Sequence, residues 1–195
     1  AGLEVNINSG GILDMSTYGF TSGLKSLKGS GTLRLSSTSF PTTSYSNTFV
    51  EAGGGTTEYK NTSSFTFPTS QATYNNLTIN VSSGVIATQL SHITLNGNLF
   101  VKQGTYRIND DAQTTKLNLS IYGDVTVNSG AYITVGQGST NTTTNPTSLS
   151  GGTAPFLTYY EQFHRVIING NFTNNGTVKF TNLTAPIYNA FPPLG

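Results

Sequence analysis

The sequence predicts an all-β fold, a right-handed parallel β-helix or β-solenoid, of about seven to eight coils. Three observations predict this fold. Segments along the chain copy one another, glycines recur at intervals of roughly 20 to 30 residues, and short alternating strands show no helical period. Each copy is then one coil, stacked on the previous coil at about 4.8 Å.

The clearest copies share a glycine followed by Asn or Asp and then an apolar residue. They are LNGNLFVKQGTYRI from Leu95, IYGDVTVNSGAYITV from Ile121 and INGNFTNNGTVKF from Ile168. Weaker copies begin at Val5, Leu27, Phe49 and Leu77. Glycine accepts the positive φ angles that a sharp corner needs. The glycines at equivalent corners are Gly10, Gly31, Gly54, Gly84, Gly104, Gly130 and Gly176.

The whole chain, residues 1–195, is predicted to form one solenoid module, and we expect it to be a fragment of a longer chain. Residues 136–155, GQGSTNTTTNPTSLSGGTAP, are predicted to form a polar low-complexity loop, with the excursion extending to about residue 160. An antiparallel β-sandwich is the alternative, because NGN at 96–98 and 169–171 also suits hairpin turns. The copied flanking sequence favours the solenoid, since a sandwich does not require it.

Composition limits the function classes. Charged residues make up 9% of the chain and the formal net charge is +1, so there is no basic stripe that would hold nucleic acid. The absence of cysteine excludes disulfides, thiol catalysis and thiolate metal sites. The uncharged polar composition favours an extracellular location on a bacterial cell surface. No run approaches the roughly 18 apolar residues of a membrane span.

Three motifs follow one another: GGGTTEY at 53–59, YNNLTI at 74–79 and GNL at 97–99. In this order they resemble stretches of the very large surface and secreted proteins of Bacteroidetes. The resemblance covers most of residues 25–135 and returns at 166–182. It implies an adhesin-like or stalk-like protein exported by the type IX secretion pathway, and it supplies no catalytic residues.

The most distinctive local cluster is aromatic and lies in FLTYYEQFHR at 156–165. Aromatic faces stack on sugar rings, so this segment supplies ligand-binding candidates. The candidates are Tyr159, Tyr160, Phe163 and Arg165. Their alternative role is packing in the core beside the loop. A second aromatic group, with the same alternative, consists of Phe40, Tyr45 and Phe49.

No catalytic residue, metal site or cofactor is predicted. Asp110 and Asp111 are the only adjacent carboxylates, and because neighbours on a strand point to opposite faces, they would converge as a glycosidase pair only if they lie in a turn. His92 and His164 lack the spacing of a helical zinc site. The aspartates, which include Asp14 and Asp124, are too scattered to predict calcium binding.

The sequence therefore predicts a non-catalytic extracellular surface module that provides a rigid spacer and an adhesive surface. Its expected partners are other surface proteins, extracellular glycans or the continuation of its own chain. A carbohydrate-binding module is the first alternative. A β-helix polysaccharide lyase or hydrolase that uses Asp110 or Asp111 is the second.

Overall fold

The computed structural model describes residues 2–20, 23–36, 40, 45–108, 117–135, 148–149 and 165–180. This part of the chain contains twenty short β-strands and one three-residue 3-10 helix. The strands wind around a common axis as a parallel β-solenoid of about five turns. The predicted fold class is confirmed.

The strands are two to five residues long, because a corner interrupts the chain after each one. Up to the middle of the chain they are β1 (Leu3–Asn6), β2 (Ile12–Asp14), β3 (Leu24–Lys28), β4 (Thr32–Leu35), β5 (Ser46–Asn47), β6 (Thr56–Tyr59), β7 (Phe65–Thr66), β8 (Thr73–Tyr74), β9 (Asn76–Asn80) and β10 (Ile86–Gln89). The helix η1 (Thr48–Val50) lies between β5 and β6. The remaining strands are β11 (Ile93–Leu95), β12 (Leu99–Gln103), β13 (Thr105–Ile108), β14 (Asn118–Ile121), β15 (Val125–Val127), β16 (Tyr132–Val135), β17 (Ser148–Leu149), β18 (Arg165–Ile168), β19 (Phe172–Asn174) and β20 (Thr177–Phe180).

Four sheets form the faces of the solenoid. The longest, which we call the broad face, has the order β2-β4-β6-β9-β12-β15-β19. The second face is β7-β10-β13-β16-β20, the third face is β8-β11-β14-β18-β17, and a small sheet near the N-terminus is β1-β3-β5. Every pairing between described strands is parallel. The antiparallel sandwich alternative is therefore wrong.

The coil count is slightly lower than the seven to eight that the repeats predict. The broad face has seven strands in the described part of the chain, whereas the second and third faces have five each. The first two coils contribute only two strands each, β1 with β2 and β3 with β4. The glycine repeat marks a corner in every coil, and it does not reveal which coils lack a strand on one face.

Equivalent residues of successive coils stack directly on one another. On the broad face one inward row runs through Leu33, Thr57, Leu77, Leu99 and Val125. All five side chains are at most 1% exposed. The apolar core is thus a set of side-chain columns that run along the axis, as expected when a period-two strand pattern is repeated in register.

An aromatic cluster fills the centre of the solenoid. Tyr59 contacts Phe67 edge-to-face at 5.1 Å between ring centroids, and Phe67 contacts Tyr106 in the same way at 5.5 Å. The hydroxyls of Tyr59 and Tyr74 lie 3.1 Å apart, and the Tyr106 hydroxyl donates to Gln89 Oε1 at 2.7 Å. A buried tyrosine needs such a partner for its hydroxyl, so these bonds allow the rings to occupy the core.

The corner glycines are required for two different reasons. Four of the seven predicted corners have a positive φ near +76° to +78°, namely Gly10, Gly84, Gly104 and Gly130. At Gly31, in contrast, an added Cβ would lie 2.4 Å from the carbonyl oxygen of Asn8 in the previous coil. The backbones approach too closely there for any side chain. Positive φ, the predicted reason, therefore explains only part of the repeat.

The predicted polar loop at 136–155 contributes one described element. The strand β17 pairs in parallel with β18, with Ser148 opposite Arg165 and Leu149 opposite Val166. It extends the third face beyond β18, and the rest of the predicted loop lies outside the described residues.

Candidate functional site

The predicted aromatic site lies almost wholly outside the described residues. This applies to Tyr159, Tyr160 and Phe163. Arg165 is the first residue of β18, and its backbone pairs with Asn118 of β14. The site therefore stays a prediction.

The second aromatic group belongs to the core. Phe49 is 0% exposed, and Phe40 packs edge-to-face on Tyr74 at 5.9 Å. Tyr45 is half-buried, its hydroxyl accepts a hydrogen bond from Asn47 Nδ2 at 3.0 Å, and burial raises its pKa to about 12. The alternative role in packing is the correct one for these three residues.

Only some of the polar candidates lie in the described part of the chain. Asp110, Asp111 and His164 lie outside the described residues. His92 is exposed at the corner before β11, where its Nδ1 accepts a hydrogen bond from the backbone amide of Asn118 at 3.0 Å. In the described part of the chain, no group of three or more His, Cys, Asp or Glu residues could hold a metal ion.

A ladder of amide and carboxylate side chains runs up the corner at the start of the broad-face strands. Asn76 Oδ1 accepts a hydrogen bond from the backbone amide of Asn98 at 2.9 Å, one coil later. In the same way, Asn98 Oδ1 accepts a hydrogen bond from the backbone amide of Asp124 at 2.7 Å. Asp124 Oδ1 accepts one from the backbone amide of Asn171 at 2.7 Å. Asn98 and Asp124 thus each join the coil before them to the coil after them. We call these four residues the corner ladder.

The glycine that precedes each later ladder residue makes room for the side chain below it. A Cβ at Gly97 would lie 2.3 Å from Asn76 Oδ1, one at Gly123 would lie 2.2 Å from Asn98 Oδ1, and one at Gly170 would lie 2.5 Å from Asp124 Oδ1. None of these glycines has a positive φ. The repeated Gly-Asn/Asp pair is therefore a side-chain-to-backbone joint between coils.

A groove lies on the outer surface of the broad face beside this ladder. Its volume is about 330 Å³, and its lining spans four coils. The lining residues are Thr56, Asn76, Leu77, Thr78, Asn98, Leu99, Phe100, Asp124 and Thr126. Residues two apart on a strand project from the same face. The ladder residues Asn76, Asn98 and Asp124 therefore form one side of the groove, and Thr78, Phe100 and Thr126 form the other.

The outer surface next to the groove carries a compact ionic cluster. Arg34 Nε donates to Glu58 Oε2 at 2.8 Å, and Arg34 Nη1 lies 3.2 Å from Asp14 Oδ2. The Glu58 side chain is only 5% exposed, and Asn80 Nδ2 donates to its second oxygen at 2.7 Å. Burial alone would raise the pKa of Glu58, but the hydrogen bonds from Asn80 and Arg34 hold it below its ordinary value. The single positive charge of Arg34 is thus paired with two carboxylates.

Within the groove, Phe100 is half-buried and stands between two short side chains. Its neighbours in the same outward row are Thr78 of β9 and Thr126 of β15. The ammonium of Lys102 lies 5.2 Å from the centre of the Phe100 ring, a cation–π contact that restrains the ring. This site is not among those predicted from the sequence. The signal was present as the recurring triplets Asn-Leu-Thr, Asn-Leu-Phe and Asp-Val-Thr, which place a polar and a Thr or Phe side chain on one face.

The motif residues on which the resemblance rests hold neighbouring coils together. Asn75 Nδ2 donates to the carbonyl oxygens of Gly54 at 2.7 Å and Gly55 at 3.3 Å, and Tyr59 meets Tyr74 in the core. They account for the architecture and do not identify a ligand.

Comparison with known proteins adds no family assignment. No family model matches the chain, and neither the curated proteins nor the solved structures contain a significant match.

Proposed function

We propose that this chain is a non-catalytic module of an extracellular bacterial surface protein, where it acts as a rigid spacer and offers an adhesive surface. The observation that carries the proposal is the continuous parallel stacking of seven strands on the broad face, with a side-chain joint at successive corners. Six spacings of about 4.8 Å give this face a length of about 29 Å.

Stiffness follows from the direction of the hydrogen bonds. In stacked coils the bonds between strands run along the axis, so bending must lengthen bonds on one face while it compresses packed side chains on another. The corner ladder adds further bonds in the same direction. At the Asn98 corner, for example, the backbone amide of Leu77 also donates to the carbonyl of Asn98 at 2.9 Å.

The surface chemistry supports contact with uncharged partners. Only 9% of the residues are charged, and on the broad face Arg34 is neutralised by Asp14 and Glu58. Hydroxyl and amide groups therefore dominate the interactions that this face can make with a polymer or another protein. The composition and the resemblance to Bacteroidetes surface proteins support a location on the cell surface and export by the type IX pathway. The described part of the chain holds no helix with the length and hydropathy of a membrane span.

Surface labelling tests the location. Antibodies raised against the purified chain should label intact cells of the source organism, and protease added outside the cells should remove the label. Labelling that requires permeabilised cells would contradict the proposal.

A mechanical experiment tests the spacer role. The chain is pulled from its two ends in an optical trap, next to a Gly123→Ala variant whose added Cβ disturbs the joint at Asn98. The wild type should resist extension as a stiff unit and the variant should yield at lower force. Equal, low forces for both proteins would refute a load-bearing stack. Turnover of pectin, alginate or another polysaccharide by the purified chain would refute the non-catalytic assignment.

Carbohydrate binding is a second candidate function, and the groove on the broad face favours it. It is compatible with the spacer role, because a rod that carries a glycan site along its side is an adhesive surface.

A further inference from the structure

We infer that the groove beside the corner ladder binds a linear, uncharged oligosaccharide that lies along the solenoid axis. The inference deepens the adhesive part of the proposed function and rests on it. It assigns hydroxyl recognition to Asn76, Asn98 and Asp124, and stacking of one sugar ring to Phe100.

The corner ladder fixes the orientation of these side chains. In Asn76 and Asn98 the Oδ1 atom is held by the backbone amide of the next coil, so the Nδ2 group must point the other way. No described residue accepts a hydrogen bond from either Nδ2 group. The Oδ1 atom of Asp124 is held by Asn171, which leaves Oδ2 as an acceptor. Two donors and one acceptor are thus preorganised in a row, about 4.8 Å apart.

Such a row suits a chain of hydroxyl groups. Each sugar hydroxyl both donates and accepts a hydrogen bond, so a polymer of sugar units offers partners at regular intervals to amide donors and to the carboxylate. The row of Asn76, Asn98 and Asp124 crosses three coils. The whole lining, which includes Thr56, crosses four coils and spans about 14 Å between its outermost strands. The groove therefore accommodates a short stretch of a longer polymer.

Phe100 provides the apolar part of the site. Its half-buried ring lies between Thr78 of β9, which is itself only 6% exposed, and the more exposed Thr126 of β15. An aromatic ring offers an apolar face for stacking. With hydrogen-bonding groups beside it, the ring recognises a ligand that is apolar on one side and polar on the other. Lys102 restrains the ring from one direction, which lowers the entropy lost on binding.

The charges on the groove favour a neutral ligand over an acidic one. Asp124 lines the groove directly and would repel a uronate or sulfate group. Among the described lining residues none is cationic, and the nearby Lys102 lies over the Phe100 ring.

The test begins with a panel of neutral glucans, mannans and xylans and of acidic pectins and alginates, probed with the full chain, followed by calorimetry on the best ligand. At least one neutral glycan should bind in preference to the acidic ones. If none binds at millimolar concentration, or if acidic glycans bind best, the inference is overturned. Neither result affects the labelling and pulling experiments, so failure of the site is distinguishable from failure of the spacer role.

Single substitutions then locate the site. Asn98→Asp keeps Oδ1 as the acceptor for the backbone amide of Asp124, but it replaces the Nδ2 donor with an oxygen. The variant should therefore bind the glycan about tenfold more weakly, as expected for the loss of one good hydrogen bond. Phe100→Ala should weaken binding by a similar factor. Asp124→Asn replaces the Oδ2 acceptor with a donor, so it should also weaken binding of the neutral glycan about tenfold, and because it removes the negative charge it should reduce the preference for neutral over acidic glycans.

Tyr18→Ala is the matched control, because Tyr18 is 76% exposed and lies in the first coil, outside the groove lining. It should bind like the wild type. Thermal unfolding of each variant verifies that it is folded. Wild-type affinity in folded Asn98→Asp and Phe100→Ala, or equal losses in Tyr18→Ala, would overturn the assignment of the site.

Discussion

Three buried tyrosines predict that the solenoid unfolds cooperatively in alkali. Tyr59, Tyr74 and Tyr106 are each 0% exposed, and burial raises the pKa of all three above the ordinary value of 10.0. The folded state therefore keeps these protons while the unfolded chain releases them. Stability is complete below pH 10 and is lost as the pH rises above it, because ionisation favours the unfolded state.

The magnitude follows from proton linkage. With an unfolded pKa of about 10, each tyrosine lowers the free energy of unfolding by about 1.4 kcal/mol at pH 11 and about 2.7 kcal/mol at pH 12. Three tyrosines together give about 4 kcal/mol and about 8 kcal/mol. A domain with a typical stability of about 5–15 kcal/mol should thus unfold near or above pH 11 to 12.

The assay follows tyrosinate absorbance and far-ultraviolet circular dichroism during the same alkaline titration, with urea denaturation at each pH. Tyr106→Phe removes one of these buried protons, so the slope of stability against pH above 10 should fall by about 1.4 kcal/mol per pH unit. It should also lower stability at pH 7 by about 1–3 kcal/mol, because Gln89 Oε1 loses its donor.

Tyr122→Phe is the control, since Tyr122 is 60% exposed, and it should leave the slope unchanged. Ionisation of all three buried tyrosines while the native dichroism persists would refute the reasoning.

The joints between coils give further predictions. Gly123→Ala should lower stability by about 1–3 kcal/mol in urea denaturation, because its Cβ would lie 2.2 Å from Asn98 Oδ1. Adding Asn98→Ala should recover part of the loss, and an unaffected single variant would contradict the steric account. Arg34→Met should cost about 1–3 kcal/mol at pH 7, because the buried carboxylate of Glu58 loses a charged partner. The pKa of Glu58 lies below 4.5 in the folded protein, so its stabilisation is present above that pH and is lost as the pH falls through the folded pKa. The difference between Arg34→Met and the wild type should therefore shrink between pH 7 and pH 3, and an equal difference at both pH values would contradict this assignment.

The fold class could be predicted because the solenoid repeats its joints in sequence. The Gly-Asn/Asp pairs at 97–98, 123–124 and 170–171 recur because each coil makes the same contact with its neighbour. The number of complete turns could not be read in this way, because the N-terminal coils keep the corner glycines but contribute fewer strands. Positive φ at corners such as Gly84 and Gly104 could be predicted, whereas the steric requirement at Gly97 and Gly123 could not, because the excluding residue lies more than twenty positions away and leaves no local signal.

The candidate groove was missed for a related physical reason. Asn98 and Asp124 were recognised as part of a corner repeat, and a polar residue beside a glycine is usually explained by the turn itself. Only the register between coils shows that their side chains line up with Phe100 along one surface. Sequence reasoning instead favoured the dense aromatic segment at 156–165, because clustering along the chain is visible there and clustering in space is not.

The corner ladder also bears on how proteins of this architecture change length. Asn98 offers a backbone amide to the coil before it and a side-chain oxygen to the coil after it, so one coil carries half of two identical joints. Recombination that duplicates such a coil would insert a unit that forms the same corner joint with both of its neighbours. Selection could then extend the rod one coil at a time, and each added coil would bring its own Gly-Asn pair and lengthen the row of outward amides.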